Sequence, residues 1–347
     1  MSEDSRPHTT SPAAGQSAAA DEAEVHESLR QSSGSGFSLS ADEHRDVADK
    51  TPPRAAVLHE VIRSSGEEEL KRGVAALAWS SLAAGLTMGF SLLARGLLQR
   101  HAGELPGGFL LESFGYTFGF VAVIIARQQL FTENTLTAVL PLMTKPSVRM
   151  LGRLLRLWSV VLVGNLMGVS LFAWGLLHLQ QFDQPTQDAF ARIGMELMAN
   201  STFAMFTKGI LAGWIIAMMV WMLAATRQSR LAIIVLCTYV IAIGGFTHIV
   251  VGSAEVMYVV FAGSVSFVDA VGHFGLPTLV GNVVGGSLIF ALISHAQVRS
   301  DSHADQLGSQ EAVGFPTTPR HAKPRNNSHK ADPASAKRQR AAARGKR

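Results

Sequence analysis

The sequence predicts an all-α membrane protein, and three observations favour this class: few charges in the middle of the chain, six long apolar stretches, and an internal repeat. The chain has 347 residues and is 48% hydrophobic. Residues 73–298 contain only 11 of its 30 Lys and Arg residues and 8 of its 26 Asp and Glu residues. The surface of a soluble domain carries more charge than this, so the region is predicted to lie in a bilayer.

The two ends of the chain differ in composition from this membrane domain. Residues 1–53 are rich in Ser, Ala, Gly and acidic residues, and residues 299–347 are basic. Neither segment has enough apolar side chains to fold alone, so both are predicted to be disordered cytoplasmic tails. Beside a membrane domain, the basic tail suits anionic lipid headgroups or solubility better than nucleic acid. We therefore expect a lipid bilayer, and no nucleic acid, among its partners.

Between the first tail and the membrane domain, residues 54–72 are predicted to form an amphipathic helix. Four apolar side chains share one face at helical spacing: Val57, Leu58, Val61 and Ile62. A segment of this kind lies along the membrane surface and does not cross it.

Six apolar stretches predict membrane spans, at residues 74–98, 108–126, 154–179, 206–226, 231–247 and 275–297. Two shorter apolar pieces, 134–144 and 253–263, directly follow the second and fifth spans. Neither is long enough to cross a bilayer, which takes about 20 residues. The second and fifth helices are therefore predicted to be broken by irregular loops, which membranes tolerate only where protein buries them or where they line a wet cavity.

The third and sixth spans contain the same short pattern. Residues 163–171 read VGNLMGVSL and residues 280–288 read VGNVVGGSL, with Asn165 and Asn282 at the same place. Small residues recur in membrane helices generally, but the shared asparagine favours an internal duplication. Three spans per copy is an odd number, so the copies must lie inverted in the bilayer. Inverted repeats of three plus three helices with a break in each half are typical of channels and transporters.

Basic residues in the linkers predict the orientation. The linkers 145–156 and 227–230 contain Lys and Arg but no acid, whereas 180–205 and 264–274 carry more acidic than basic side chains. The linker after the first span is an exception to this trend. Because linkers rich in Lys and Arg stay in the cytoplasm, both termini are predicted to be cytoplasmic.

With these elements placed, residues 54–298 resemble the formate/nitrite transporter family, and within it the YfdC-like inner-membrane branch. RQQLFTENT at residues 127–135 is similar to the family's Leu-Phe-Thr loop, and GGFTHIV at residues 244–250 to its histidine-bearing loop. Three helices are similar to the family's third, fourth and sixth, at RLWSVVLVGN (156–165), KGILAGWIIAMMVW (208–221) and PTLVGNVVGG (277–286).

The resemblance implies a transport protein and not an enzyme. It implies a homopentamer in the bacterial inner membrane, with one aquaporin-like pore per protomer for small monovalent anions such as formate or nitrite. No cofactor or metal is implied. Thr132 and His248 match the pair that face each other at mid-pore. The other matching positions are apolar residues beside that threonine or at constrictions, asparagines next to the breaks, and a basic position in the third helix: Leu130, Phe131, Phe120, Ile241, Asn165, Asn282 and Arg156.

Physical chemistry gives the two central residues a role. A bare carboxylate crosses an apolar constriction only at a large free-energy penalty. His248 can donate a hydrogen bond or a proton, and the Thr132 hydroxyl can hold an anion's oxygen. We therefore expect the pair to recognise and protonate the anion. The alternatives are that His248 only joins two helices, and that Thr132 only caps the half-helix that follows. Asn165 and Asn282 are expected either to touch the anion or only to satisfy backbone groups at the breaks. The four apolar residues could likewise be ordinary core.

Three further ionisable residues lie near the breaks. Arg127 precedes the first break, where an arginine must be paired or hydrated. Its expected partner is Glu133 in the same loop or Glu112 on the preceding helix, in a salt bridge that supports the loop. The alternative is an anion-attracting group at the pore mouth. Glu255 is expected to cap the second half-helix, and the alternative is that it relays a proton.

Other classes of function remain open on the sequence. A neutral-solute channel for water or glycerol has the same architecture, although neither break contains Asn-Pro-Ala. A non-conducting assembly or sensor protein is compatible with departures from the family pattern at Gly213, Thr247 and Gly252, which also leave the permeant ion open. An enzyme or metal centre is disfavoured, because the apolar region offers few histidines, among them His248 and His295, and the single Cys237, too few for a metal site.

Overall fold

The structure is a computed structural model that describes residues 39–51, 53–179, 181–226 and 228–301. Most of the two predicted tails, at residues 1–38 and 302–347, lies outside the described residues. The chain divides into two compact units, Met1–Arg299 and Ser300–Arg347. Nearly all of the second unit lies outside the described residues, so the architecture below is that of the first.

The regular structure in the described residues is helical. In chain order the helices are α1 (Ala41–Lys50), α2 (Ala55–Lys71), α3 (Val74–Ala102), α4 (Gly108–Ile125), α5 (Phe131–Thr137), α6 (Val139–Thr144), α7 (Val148–His178), α8 (Gln184–Met198), α9 (Thr202–Ala225), α10 (Arg230–Ile243), α11 (Ile249–Phe261) and α12 (Phe267–Asp301). Helix α4 turns at Tyr116, and α12 contains two π-helical segments, Ala270–Gly275 and Val284–Ala291.

Among the described residues, five helices are long and apolar enough to cross a membrane: α3, α4, α7, α9 and α12. They lie at five of the six predicted spans. The remaining predicted span, residues 231–247, is the 14-residue helix α10, which is followed by the 13-residue helix α11. Each of these two is shorter than the roughly 20 residues that a crossing helix takes.

Non-helical segments of equal length separate α4 from α5 and α10 from α11. Helix α4 ends at Ile125 and α5 begins at Phe131; α10 ends at Ile243 and α11 begins at Ile249. The helices after these segments were expected to begin near residues 134 and 253, so each begins a few residues earlier than predicted. The difference arises because the expectation followed the apolar run, whereas polar residues such as Thr132 are part of the first turn.

Side-chain caps explain where three helices begin. Ser147, Asp183 and Ser201 precede α7, α8 and α9, and each accepts a hydrogen bond from a backbone N–H in the first turn. These N–H groups have no partner inside the helix, so a polar side chain before the first turn stabilises the start of the helix.

Glycine permits two very close helix crossings. A Cβ atom at Gly85 of α3 would overlap the Asn165 carbonyl of α7, and one at Gly213 of α9 would overlap the Asn282 carbonyl of α12. No larger residue fits at either position without moving the helices apart. Gly213 is one of the departures from the family pattern, and its role in this chain is to let α9 approach α12.

Helix α2 packs onto the membrane domain through one buried edge. Leu58, Ile62 and Leu70 are buried, whereas Val57 and Val61 are 51% and 48% exposed. The predicted apolar face is therefore divided: half of it contacts protein and half faces outward. At Gly66 the helix comes so close to the Thr137 carbonyl that a Cβ atom would overlap it. Helix α2 thus rests directly on the α5–α6 segment.

A pair of histidines joins α2 to the last helix. His59 Nε2 lies 2.9 Å from His295 Nδ1. Burial, and then the neighbouring His295, lower the pKa of His59 below its ordinary value of 6.5. A histidine with a lowered native pKa stabilises the fold in its neutral form. That stabilisation is present above pH 6.5 and is lost as the pH falls, because the unfolded or undocked segment then binds a proton that the docked segment does not.

We accordingly expect the docking of α2 to weaken on acidification. Hydrogen–deuterium exchange of peptides from residues 55–71 should become a few-fold faster at about pH 5.5 than at about pH 7.5 after correction for the intrinsic rate. His59→Gln keeps a hydrogen-bonding group without titrating, so the variant should lose this pH dependence. Equal protection of the wild-type helix at both pH values would contradict the prediction.

Candidate pore site

The two non-helical segments meet at His248 and Thr132. His248 Nε2 lies 2.8 Å from Thr132 Oγ1, and both side chains are buried. His248 is the N-cap of α11, and Thr132 is the second residue of α5. Residues that are 116 positions apart in the chain are therefore hydrogen-bonded because two helices begin at the same place.

The hydrogen bonds of His248 fix which ring nitrogen carries the proton. Its Nδ1 accepts hydrogen bonds from the backbone N–H groups of Val250 and Val251, each at 3.3 Å. A ring nitrogen that accepts has no hydrogen, so a neutral imidazole in this setting carries its hydrogen on Nε2. Nε2–H then donates to Thr132 Oγ1, and the hydroxyl hydrogen of Thr132 remains available to another acceptor.

Thr132 does not act as a cap. The N-cap of α5 is Leu130, and no side chain caps this helix. The alternative that the Thr132 hydroxyl serves only to satisfy a free N–H group is therefore wrong. The hydroxyl instead lies against the imidazole of the opposite segment.

Asn165 and Asn282 hold the two segments in the same manner. Asn165 Oδ1 accepts from Phe131 N at 2.9 Å, and its Nδ2 donates to the carbonyls of Ser81 and Gln129, each at 2.8 Å. Asn282 Oδ1 accepts from Ile249 N at 2.9 Å. Its Nδ2 donates to the carbonyls of Gly209 at 2.9 Å and Thr247 at 3.0 Å. Each amide thus ties the first residue of a helix, the loop before it and a neighbouring helix together.

The four apolar residues assigned by resemblance are all buried, but they have different neighbours. Phe120 and Ile241 are fully buried, and the Phe120 ring lies edge-on to His248 with centroids 5.0 Å apart. Leu130 and Phe131 are also buried, but the Phe131 ring packs on Trp158 of α7, with centroids 5.8 Å apart. Phe120 therefore borders His248 directly, and Ile241 lines a cavity together with His248. Phe131 instead anchors α5 to its neighbour.

Arg156 and Arg127 have different surroundings. Arg156 Nη2 donates to the carbonyls of Leu70 at 2.9 Å and Arg72 at 3.1 Å, and so holds the end of α2 against α7. Arg127 is exposed and has a left-handed backbone with φ of 54°. Gly245 has φ of 57° two residues after α10 ends, just as Arg127 follows α4.

The expected salt bridge of Arg127 is wrong in both forms. In the described part of the chain, no ion pair joins Arg127 to Glu133 or to Glu112. Glu133 lies in the first turn of α5, and Glu112 pairs with Arg95. The sequence suggested nearby partners for Arg127, but its left-handed backbone directs the residue to the exposed surface.

Sequence reasoning missed a buried ion triad, formed by Arg95, Glu112 and Glu255. Arg95 Nη2 lies 2.6 Å from Glu112 Oε1, and Arg95 Nη1 lies 2.6 Å from Glu255 Oε1. All three side chains are largely buried. Glu255 is seven residues after His248, within α11, so the expectation that it caps this helix is wrong. One signal was present: Arg95 and Glu255 are isolated charges within apolar stretches, and such charges require a partner.

A cavity of about 140 Å³ connects the triad to His248. We call it the Arg95 cavity. Arg95, Tyr116, Lys208, His248 and Glu255 contribute its polar wall, and Ile241 and Phe246 are among its apolar residues. Lys208 Nζ donates to Asn200 Oδ1 at 2.6 Å. The cavity therefore places two cationic side chains, Arg95 and Lys208, and two carboxylates, Glu196 and Glu255, near the central histidine.

The described residues contain no group of three or more His, Cys, Asp or Glu side chains arranged to hold a metal ion. The site contains two hydrogen-bond donors between apolar walls: Nε2–H of His248, which is donated to Thr132 in this structure, and the Thr132 hydroxyl, whose hydrogen is left for another acceptor. Donors of this kind suit a small species with oxygen acceptors.

Comparisons with known proteins identify one family. The family model for the formate/nitrite transporter matches residues 56–296. The chain is 53% identical to "Inner membrane protein YfdC" of Escherichia coli over 253 residues, which cover 73% of this chain and 82% of that protein. It is 25% identical to "Uncharacterized transporter YrhG" of Bacillus subtilis over 236 residues, or 63% of this chain and 87% of that protein.

A solved structure shares the fold. The structure of a "Pentameric formate channel with formate bound" superposes with a TM-score of 0.55 at 21% sequence identity. The match covers 66% of this chain and 96% of that channel. At this level of identity the similarity establishes the architecture of the membrane domain.

Proposed function

The chain belongs to the formate/nitrite transporter family, and on this premise we propose that it is a membrane channel or transporter for a small monovalent anion of a weak acid, such as formate or nitrite. The observation that carries the proposal is the buried His248–Thr132 pair. The two side chains are hydrogen-bonded to each other at the junction of two helices, with the ring hydrogen of His248 donated to Thr132 Oγ1. An anion that enters between them takes over this donor and meets the Thr132 hydroxyl hydrogen beside it. A small oxyanion at this point would accept from both.

The proposal includes an inverted repeat of three plus three membrane helices. In this arrangement α4 with α5 and α6 forms the broken second element, and α10 with α11 forms the broken fifth. The equivalent hydrogen bonds of Asn165 and Asn282 support it, because each amide binds the residue that begins the helix after a break. The left-handed backbone of Arg127 and of Gly245 supports it further.

Passage through the site requires partial loss of hydration. Phe120 and Ile241 offer no hydrogen bonds, so a bare anion between them is strongly disfavoured. The donors of His248 and Thr132 offset part of this cost. Because His248 Nδ1 accepts two backbone hydrogen bonds, the imidazole in this conformation is a hydrogen-bond donor to the anion and does not relay protons through the ring. We therefore assign recognition of the anion to the His248–Thr132 pair. The proton that neutralises the anion then comes from another group.

We place the protein in the bacterial inner membrane as a homopentamer with both termini in the cytoplasm. The E. coli relative, an inner membrane protein by name, supports the membrane, and the pentameric formate channel supports the pentamer. The basic linkers support the orientation, which puts Arg156 on the cytoplasmic side and the Arg95 cavity on the outer side. Mass measurement of the purified protein in detergent should give five chains per particle.

Anion flux into proteoliposomes tests the function. The purified full-length chain should accelerate entry of formate or nitrite over empty liposomes, and glycerol entry should be unchanged. Thr132→Val removes the hydroxyl but keeps the shape of the side chain, so we expect flux to fall about tenfold. Thr132→Ser keeps the hydroxyl and should retain most of the flux. Acceleration of glycerol alone would indicate a neutral-solute channel, and no acceleration of any solute would indicate a non-conducting protein.

A further inference from the structure

The Arg95 cavity contains ionisable groups beyond the donors that bind the anion. Arg95 lies between Glu112 and Glu255, so two carboxylates share one guanidinium. A buried group of this composition has a net charge of −1 when both carboxylates are ionised. Net negative charge in a low-dielectric site disfavours an incoming anion and favours a bound proton.

Of the two carboxylates in the triad, Glu255 is the one that lines the cavity. It is among the residues that line the Arg95 cavity, together with His248, whereas Glu112 is not. Only Oε1 of Glu255 is engaged with Arg95. His248 caps α11 and Glu255 follows seven residues later, which is two helical turns, so both lie on the same face about 10 Å apart along the axis. Glu255 is thus placed where it can exchange a proton with the cavity contents.

Two unsatisfied polar atoms lie beside the carboxylate. The Tyr116 hydroxyl and Arg95 Nε are buried and have no hydrogen-bond partner among the described residues. Arg95 lies over the Tyr116 ring, with its guanidinium carbon 5.9 Å from the ring centroid, and Tyr116 also lines the cavity. A buried donor without a partner costs free energy unless the cavity contents satisfy it. These atoms point to a polar occupant next to Glu255.

We infer that the Arg95 cavity loads an anion together with a proton, and that the Arg95–Glu112–Glu255 triad holds this proton on the Glu255 carboxyl group. The inference rests on the proposed function and adds the source of the proton. When Glu255 is protonated, the cavity is one charge more positive and an oxyanion enters more readily. By linkage, the anion in turn strengthens proton binding by the same factor. The proton then leaves the carboxyl oxygen for an oxygen of the anion, which passes Phe120 and Ile241 as the neutral acid.

The other charged groups around Glu255 are few. Glu196 from α8 and Lys208 from α9 line the cavity with it, and Glu196 lies near Arg192. Helices α7 and α12 face α11 with apolar side chains and Ser170. Among the cavity-lining cations, Lys208 has no carboxylate partner in the described residues. It is therefore the cation best able to bind the anion.

Glu255→Gln tests the inference, because glutamine keeps the size and the hydrogen-bond acceptor for Arg95 but does not titrate. At every pH, the variant therefore has the charge of a triad in which Glu255 is protonated. We expect the KM for formate entering from the outer side at about pH 7.5 to fall about tenfold, within the usual range of coupling between two ligands. Acidification to about pH 5.5 should lower the KM of the wild type about tenfold and that of the variant by less than about twofold. Proton entry per formate should fall in the variant.

Glu112→Gln is the matched control. It removes one charge from the same triad but leaves the cavity-facing carboxyl group in place, so the pH dependence should persist with its midpoint moved to lower pH. Damage to the fold would instead reduce flux in both variants and would not lower the KM. Unchanged KM, pH profile and proton-to-formate ratio in Glu255→Gln would overturn the inference.

Infrared spectroscopy of the wild type provides a test that needs no folded variant. Formate added to the full-length protein should increase the absorption of a protonated carboxyl group, and Glu255→Gln, where it folds, should lack this increase. A change confined to imidazole bands would overturn the inference and leave the proposed function standing. Absence of both formate and nitrite flux in the wild type would overturn the proposed function itself, whatever the spectra show.

Discussion

Replacing His248 with asparagine should reduce anion flux at least 100-fold, roughly the effect of removing one preorganised donor from a buried anion site. Asparagine is a good N-cap residue, so it can replace Nδ1 as the acceptor for the N–H groups of Val250 and Val251. Its shorter side chain does not place a donor beside Thr132. The variant therefore separates the capping role of His248 from its role toward the anion.

The measurement is formate or nitrite flux into proteoliposomes, with thermal unfolding in detergent as a check on the fold. His248→Ala is the comparison, because it loses the cap as well and should lower the melting temperature in addition to flux. If His248→Asn conducts like the wild type, the imidazole has no part in anion passage and serves only to begin α11.

Replacing Asn282 with leucine should prevent the protein from folding. Leucine has a similar volume but makes none of the three hydrogen bonds of the amide. The Thr247 carbonyl and the N–H of Ile249 then lose their partner, and the Gly209 carbonyl keeps only the hydrogen bond within its own helix. Each buried unsatisfied group costs about 1–3 kcal/mol, and the sum is comparable with the net stability of a typical domain, about 5–15 kcal/mol. Asn165→Leu should have an effect of the same size, because its three hydrogen bonds are equivalent.

Thr278→Val is a matched control on the same helix, one turn before Asn282. The Thr278 hydroxyl is buried and has no partner in the described residues, so its removal should leave stability unchanged or slightly raise it. Yield of folded protein and the melting temperature in detergent are the readouts. Wild-type stability of both asparagine variants would mean that the two segments are held by packing and not by the amides.

The two asparagines also show how far sequence pattern can reach. The repeat placed Asn165 and Asn282 at equivalent positions, and the family motifs placed them beside the breaks. Their hydrogen bonds to the first residue of α5 and of α11 agree with that expectation in position. The sequence pattern predicted their positions because each amide forms hydrogen bonds with backbone groups. The geometry of those groups follows from the local order of helix, break and helix.

The Arg95–Glu112–Glu255 triad could not be predicted from the sequence pattern. Arg95 and Glu112 are 17 residues apart, and Arg95 and Glu255 are 160 residues apart. No local rule relates such positions, so Glu112 was assigned to Arg127 and Glu255 to a helix cap. The pairing depends on how α3, α4 and α11 pack together, and that packing depends on many side chains at once.

Hydrophobicity, linker charge and the recurring GNxxGxSL motif were enough to predict apolar helices and two interruptions beside Thr132 and His248, because bilayer thickness and backbone hydrogen bonding act on neighbouring residues. Three features came only from the folded arrangement: the tautomer of His248, the packing of Phe131 on Trp158, and the partner of each buried charge. The sequence alone does not determine them, because a contact between distant residues forms only when tertiary packing brings the residues together. The two atoms of a hydrogen bond must come within about 3 Å of each other.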